Sequence, residues 1–477
     1  MIIATTVHIF LYLVIAVAIG IGLFFSRKTD GDVTQYFFAG NSKNGVLLGI
    51  SLSLIVFFTL ILLVLPGMRS LDSSIAPVFI VIGSLAIVLF AGGKMLPQLK
   101  NFFSSLGKTG NVLMGIHGIV FLAIVQVLVL LQISDVIIQS YFGESYFSLL
   151  VVMIVGSGMY ALVGGLNAVY YSNMFLGFFF IGSVITVVIN VLFLNIPMVF
   201  SFRDAFRFGS TVFQDSNLSD LNLFFMGFSV SVLLFWIIWM ELGSIQKKIS
   251  VSTARSLRTG LLIGGAVVLA VITGISYVIQ QGAAGTRGSI GTPEPGMIDG
   301  IVVVGLLTGL MGVFAVTFQS IGSIAALRIF GSVVKQTNEA EQVLVGRLTT
   351  VVAVLLSISL ISFAKVSGMQ TVVWFVDFLV FFSTPIVAAF AVFALMHKKQ
   401  FFPVPAGMVI GESYALIGYL SHNNLVHPIF YARNGLYSFV FEIALITVVA
   451  SVIVFRLSEF RIVQRVFSKT HVSQIGR

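Results

Sequence analysis

The sequence predicts an all-α polytopic membrane protein of about thirteen transmembrane helices, and three observations predict it. Apolar residues make up 58% of the chain against 9% charged, with a mean hydropathy of +1.09. That much apolar surface exceeds what one water-soluble interior can hide. The apolar residues come in runs of about 20, the length at which a helix crosses the hydrocarbon core. The runs lack the two-residue alternation of a barrel strand, so each segment must satisfy its backbone polar groups as a helix.

The elements follow in order. Span one, 7–25, has no basic residue before it and Arg27 and Lys28 after it, the pattern of an uncleaved anchor with its amino end outside rather than of a signal peptide. Span two, 46–66, carries "LIVFFTLILLVL", a continuous apolar helix former relieved only by Thr59. Spans three and four are 75–96 and 112–134, the latter closing beside Asp135 as a capping or interfacial residue. Spans five and six, 146–163 and 170–194, flank Gly164 and Gly165, a pair suited to a tight hairpin. Span seven, 222–241, runs as "FWIIWMELGSIQKKIS" from Trp236 and Trp239 through Glu241 to Lys247 and Lys248. Span eight, 259–280, leads to a Gly/Pro-rich loop at 281–297, read as irregular. Spans nine and ten are 300–330 and 347–364. Span eleven, 370–396, embeds Asp377, which needs a proton or a partner from another helix; Arg328 is a candidate. Spans twelve and thirteen, 403–420 and 435–456, hold Glu412 and Glu442, read as structural, and a basic tail follows.

Alternate loops test this parse, because the cytoplasmic side of a membrane protein is enriched in Lys and Arg. With the amino terminus outside, all but six of the 26 basic residues fall on the inner side; the exceptions are Arg69, Arg203, Arg207, Arg287, Lys365 and Arg433. The net charge of +9 is thereby a consequence of topology, and the dispersal of the basic residues argues against nucleic-acid binding. The expected location is the cell (inner) membrane, multi-pass, with the carboxyl terminus cytoplasmic. Zero cysteines exclude disulfides and thiolate metal sites. The six histidines, among them His117, show no helical metal-ligand spacing and read as interfacial. No phosphate-binding Gly-rich loop occurs and no catalytic triad can be argued, so neither an ATP-driven pump nor an enzyme is expected, and no cofactor.

"YFFAGNSKNGVLLGISLSLIVFFTLILLVLPG" (36–67), "YALVGGLNAVYYSNMFLG" (160–177), "QKKISVSTARSLRTG" (246–260) and "FAVTFQSIGSIAALRIFGSVV" (314–334) resemble, in order, stretches of the sodium:solute symporter family. "VGRLTTVV" (345–352) and "TPIVAAFAVFALMHKK" (384–399) fit the same series. The "LPG" at Leu65, Pro66 and Gly67 is most similar to the proline and pantothenate branch. The resemblance implies a LeuT-like core of two inverted five-helix repeats in residues 46–396. The first span and inner loop (1–45) would precede it, with peripheral spans and tail at 397–477, all in one transmembrane domain. It implies secondary active transport of a small organic solute by alternating access, coupled to a cation, with sodium as the family expectation and the lipid bilayer as surroundings. Proton coupling through Glu241 and a transport-dead sensor or scaffold are the alternatives.

Carried over position by position, the resemblance implies a sodium site at Leu54, Phe57, Val316, Gln319 and Ser320. Backbone carbonyls can serve whatever the side chain, but the hydroxyl pair cannot: Ser320 keeps one oxygen and Gln319 offers an amide oxygen for the other. A hard cation wants about six oxygens. The competing reading makes Ala315, Gln319, Gly322, Ser323 and Ala326 a small-residue packing stripe with an interhelical amide bond. The implied substrate positions are Val56, Leu60, Ile61, Trp236 and Glu241. The first three are apolar where relatives are polar, a hint of an apolar or monocarboxylate solute. The family's aspartate beyond the Gly-Gly turn is Asn173 and its glutamine Leu176. Glu241 either faces the site with a raised pKa or lies at the inner interface near Lys247 and Lys248.

Overall fold

A computed structural model describes residues 2–26, 32–41, 45–63, 82–88, 101–102, 107–133, 146–190, 193, 220–240, 254–285, 297–334, 336–366, 369–395, 403–422 and 436–459. All of the regular structure among them is helical, as the apolar runs require. The helices are α1 (Ile2–Ser26), α2 (Val33–Phe38), α3 (Gly45–Leu63), α4 (Gly107–Ile133), α5 (Tyr146–Ile189), α6 (Asp220–Phe235), α7 (Ala254–Gly285) and α8 (Met297–Ser323). They continue with α9 (Glu339–Val366), α10 (Met369–Leu395), α11 (Pro403–His422) and α12 (Leu436–Glu459). Within the described residues, seven helical segments are long and apolar enough to cross a membrane. Glu241, Asp135 and the basic tail lie outside the described residues, as does most of the 281–297 loop.

Burial sorts these spans. The α8 span is 94% buried, whereas the α1 and α9 spans are 28% buried, so α8 is the bundle's central post while α1 and α9 give their outer faces to lipid. α8 packs most extensively on α5, and α1 lies along α5 as well. The helix α5 is 44 residues long, about twice what the hydrocarbon core requires, and it breaks at Gly165, whose φ of 55° and ψ of −147° suit only glycine. Two bonds reveal the fold-back. Ser157 donates to the Met311 carbonyl at 3.1 Å and Asn173 Nδ2 to the Gly312 carbonyl at 3.2 Å. Two residues sixteen apart on α5 thus meet the same level of α8, so the halves of α5 form a hairpin. The expected two spans around Gly164 and Gly165 are therefore present.

A second assembly is built on α3 and α7. Gly45 and Gly49 of α3 face Gly260 and Gly264 of α7, and a methyl on any of the four would overlap the opposite backbone. Such small-residue seams let two helices approach to backbone contact in lipid, where no hydrophobic force drives them together. The helices α10, α11 and α12 form a peripheral triad, where Gly407 and Gly411 of α11 lie against Ser451 and Thr447 of α12.

The helix ends flanked by basic loops gather at one end of the molecule. There the start of α3 meets the start of α7, Ser26 of α1 meets Gly164, and Arg328 Nη1 donates to Asn111 Oδ1 of α4 at 3.0 Å. We call this end the α2 side. Arg328 was one expected partner for Asp377, whose side chain lies outside those described.

Candidate ion and solute site

The two helices expected to frame a site, α3 and α8, do meet. Leu54 is buried, and its Cδ1 lies where a Cβ on Gly312 would come within 2.7 Å. Glycine at 312 is what permits this approach. Asn173 of α5 closes the same junction: its Nδ2 donates to the Gly312 carbonyl and reaches Ser51 Oγ of α3 at 3.5 Å. Helices α3, α5 and α8 thus converge halfway along their length on a small polar knot in an apolar interior.

Polar atoms without partners cluster along this post. Both amide atoms of Gln319, Ser320 Oγ and Asn173 Oδ1 are buried and make no hydrogen bond among the described residues. Gln319 lies seven residues beyond Gly312, about two turns or 10 Å further towards the α2 side and on the same helix face. The interhelical amide bond of the packing alternative is not formed, although Gly322 does pack closely on Gly346 and Thr350 of α9. Each orphaned polar group costs about 1–3 kcal/mol in such an interior, and lipid offers no water to relieve it. These donors are neutral oxygens, and no cluster of three or more His, Cys, Asp or Glu side chains occurs among the described residues. A neutral oxygen set suits a hard cation of low charge better than a divalent or soft metal.

The backbone donors differ in what they can give. α3 is helical without interruption through Leu54 and Phe57, so those carbonyls already take part in the helical ladder. "LIVFFTLILLVL" contains nothing that breaks a helix, and α3 runs on as expected to Leu63. Val316 is buried within α8. Side-chain oxygens are therefore the free donors here, and Gln319 and Ser320 supply them.

Of the expected solute positions, Val56 is buried and lines a narrow apolar crevice with Leu52, Ser53, Leu85, Ile238 and Val268. The crevice lies between α3, residues 82–88, α7 and the last turn of span seven. That turn is where α6 relaxes into a π-helix, Trp236–Met240; such widened turns free backbone groups and recur at functional positions. Trp236 is buried, its indole Nε1 without an acceptor, and it meets the His117 ring edge-on at 5.0 Å and Phe121 at 5.5 Å. Phe57, Leu60 and Ile61 lie on α3 with side chains outside those described, and Glu241 follows the last described residue of the segment.

Sequence reasoning missed His117, Ser51 and the bridging role of Asn173. The expectation of an interfacial His117 is corrected: its ring packs on Trp236 inside the bundle and its Nε2 is buried without a partner. No local signal could have found these, because Ser51 and Asn173 are 122 positions apart.

No protein-family model matches the chain, and no curated protein matches it by sequence. Among solved structures, a substrate-bound, outward-open Na+-coupled sialic acid symporter superposes with a TM-score of 0.69, over 95% of this chain and 97% of that one, at 15% identity. The chain is a multi-pass membrane protein with the LeuT-like fold of that symporter.

Proposed function

We propose that the protein is a secondary active transporter that carries a small organic solute by alternating access, coupled to a sodium ion held at α8. Gln319 Oε1 and Ser320 Oγ would supply the oxygens to the ion, because the implied backbone donors Leu54, Phe57 and Val316 are engaged in their own helices and Leu54 lies about two turns away at the level of Gly312. The solute would sit at the level of Val56, Leu60, Ile61, Trp236 and Glu241. The observation that carries this reading is the set of unpartnered oxygens on the most deeply buried helix, in a chain that shares its fold with a Na+-coupled symporter. A bound cation would satisfy those oxygens.

The experiment is uptake of labelled amino acids, carboxylates and sugars into proteoliposomes, with sodium and proton gradients imposed separately. Sodium-driven uptake that disappears in Ser320→Ala supports the reading. Proton-driven uptake that persists without sodium and is lost in Glu241→Gln replaces sodium with protons. Absence of any flux from folded, monodisperse protein rejects transport altogether.

A further inference from the structure

The short helix α2 is pinned by three other elements. Asp32 caps it, its Oδ1 accepting from the backbone N–H of Thr34 at 2.7 Å and of Gln35 at 3.2 Å. The Tyr36 hydroxyl, buried, reaches the carbonyls of Leu162 at 2.9 Å and Ala161 at 3.3 Å on α5. The Arg347 guanidinium of α9 lies 5.4 Å from the Tyr36 ring centroid. Phe37 rests on Gly346 of α9, where any Cβ would come within 2.7 Å of its ring, and clusters with Ala326 and Val343. The Tyr36 carbonyl fills the place that a Cβ on Gly165 would take, so the glycine that turns the α5 hairpin also forms the seat for α2.

The residue after α2 is under strain. Ala39 has φ 50° and ψ 36°, the only non-glycine residue with positive φ among those described, and Gly40 follows at φ 70°. An L-residue with a Cβ occupies this left-handed region at a cost. Ala39 also packs with Leu47 of α3 and with Leu166 and Tyr170 of α5. Because α3 and α7 touch backbone to backbone at their glycines, whatever holds the start of α3 holds both helices.

We propose that α2 is a latch. The Tyr36 clasp, with α2 seated on α9, keeps the α2-side end of the α3–α7 pair closed against α5, and that end opens when Tyr36 leaves the Ala161 and Leu162 carbonyls. Two terms oppose each other: the clasp favours the closed end, and the left-handed Ala39 favours the open one. The inference rests on the proposed alternating access for its purpose, but its test needs no transport, so the two can fail separately.

The chain has no cysteine, so Leu47→Cys places a sole thiol at the buried seam between α3 and α5. Its rate of reaction with a membrane-impermeant maleimide, measured in lipid nanodiscs that expose both faces, reports opening of the α2 side. Adding Tyr36→Phe removes the clasp and is expected to raise the rate about tenfold, the population shift that follows from losing a buried hydrogen bond. Adding Ala39→Gly relieves the turn and is expected to lower the rate about two- to threefold. A separate Ile443→Cys thiol, buried in α12, should keep its rate in both backgrounds. Should Tyr36→Phe prove polydisperse, Arg347→Gln takes its place, with an expected rise of about threefold from loss of the cation over the ring. The latch is rejected if removal of the clasp leaves the Leu47→Cys rate within about twofold of its parent, if Ala39→Gly speeds it, or if Ile443→Cys accelerates in parallel.

Discussion

Replacing Gln319 with methionine should make the protein more stable without sodium and insensitive to it. Gln319 is buried in α8 with neither amide atom hydrogen-bonded, and leaving such groups unmade costs about 1–3 kcal/mol each. Methionine fills a similar volume without the polar atoms, and its flexible chain adapts to the site. In choline chloride Gln319→Met is therefore expected to gain about 2 kcal/mol. For a chain of this length that corresponds to a melting point raised by about 2 °C. Sodium reverses the order. A ligand at a hundred times its dissociation constant stabilises the binding state by about 2.7 kcal/mol, so the natural protein should overtake the variant when sodium replaces choline at constant ionic strength. The assay is thermal unfolding of both proteins across a sodium titration. If Gln319→Met melts lower in choline, the amide has a partner and the reasoning fails. If sodium leaves the natural protein's melting point unchanged, the site holds no sodium.

Further outcomes follow from the same interior. Gly165→Ala forces a Cβ into a conformation reserved for glycine and onto the Tyr36 carbonyl, at a cost of about 3 kcal/mol or more; size-exclusion profiles should show loss of monodisperse protein. Gln126→Leu is expected to cost less than about 1 kcal/mol by melting, because Thr317 and Ser357, to which Gln126 is bonded, each keep a backbone carbonyl acceptor of their own. Gly260→Leu should lower the melting point by several degrees, since it wedges α7 away from the Gly45 carbonyl. Burial pushes the Tyr36 phenol up to about 12 from its ordinary 10.0. Below pH 10 both docked and undocked forms keep the proton and the latch is insensitive to pH. Between about pH 10 and 12 the undocked phenol gives up its proton first, so the docked form weakens as pH rises. Labelling at Leu47→Cys should accelerate across that window, and Tyr36→Phe should lack the acceleration.

Several features were legible because they are properties of local sequence. Apolar runs of about 20 residues can only be helices in lipid, and the described helices fall where those runs lie. Gly164 and Gly165 announced the hairpin, since only a residue without a Cβ accepts the backbone at 165 and the approach of Tyr36. The unbroken α3 likewise follows from a stretch with no helix breaker. Gln319 and Ser320 come instead from the family resemblance and not from any property of the local sequence.

Which of those polar atoms lack partners was decided by tertiary structure alone. Whether an amide is satisfied depends on what other helices bring within about 3 Å, and helices packed by shape and dispersion leave no sequence record of their neighbours. Gln126 and Gln319 are both glutamines buried in apolar helices; one is held by Thr317 and Ser357 and the other by nothing. Asn173 became part of the junction only because the α5 hairpin lays it beside Gly312. His117 was moved from the interface to the interior by the packing of α4 on Trp236. The amino-acid sequence by itself determined a helical membrane bundle and its hairpin, because lipid and a glycine's backbone freedom act on each chain segment one at a time. The central place of α8, the docking of α2 and the pairing of its polar groups depend on contacts between distant segments, and those exist only once the helices have assembled.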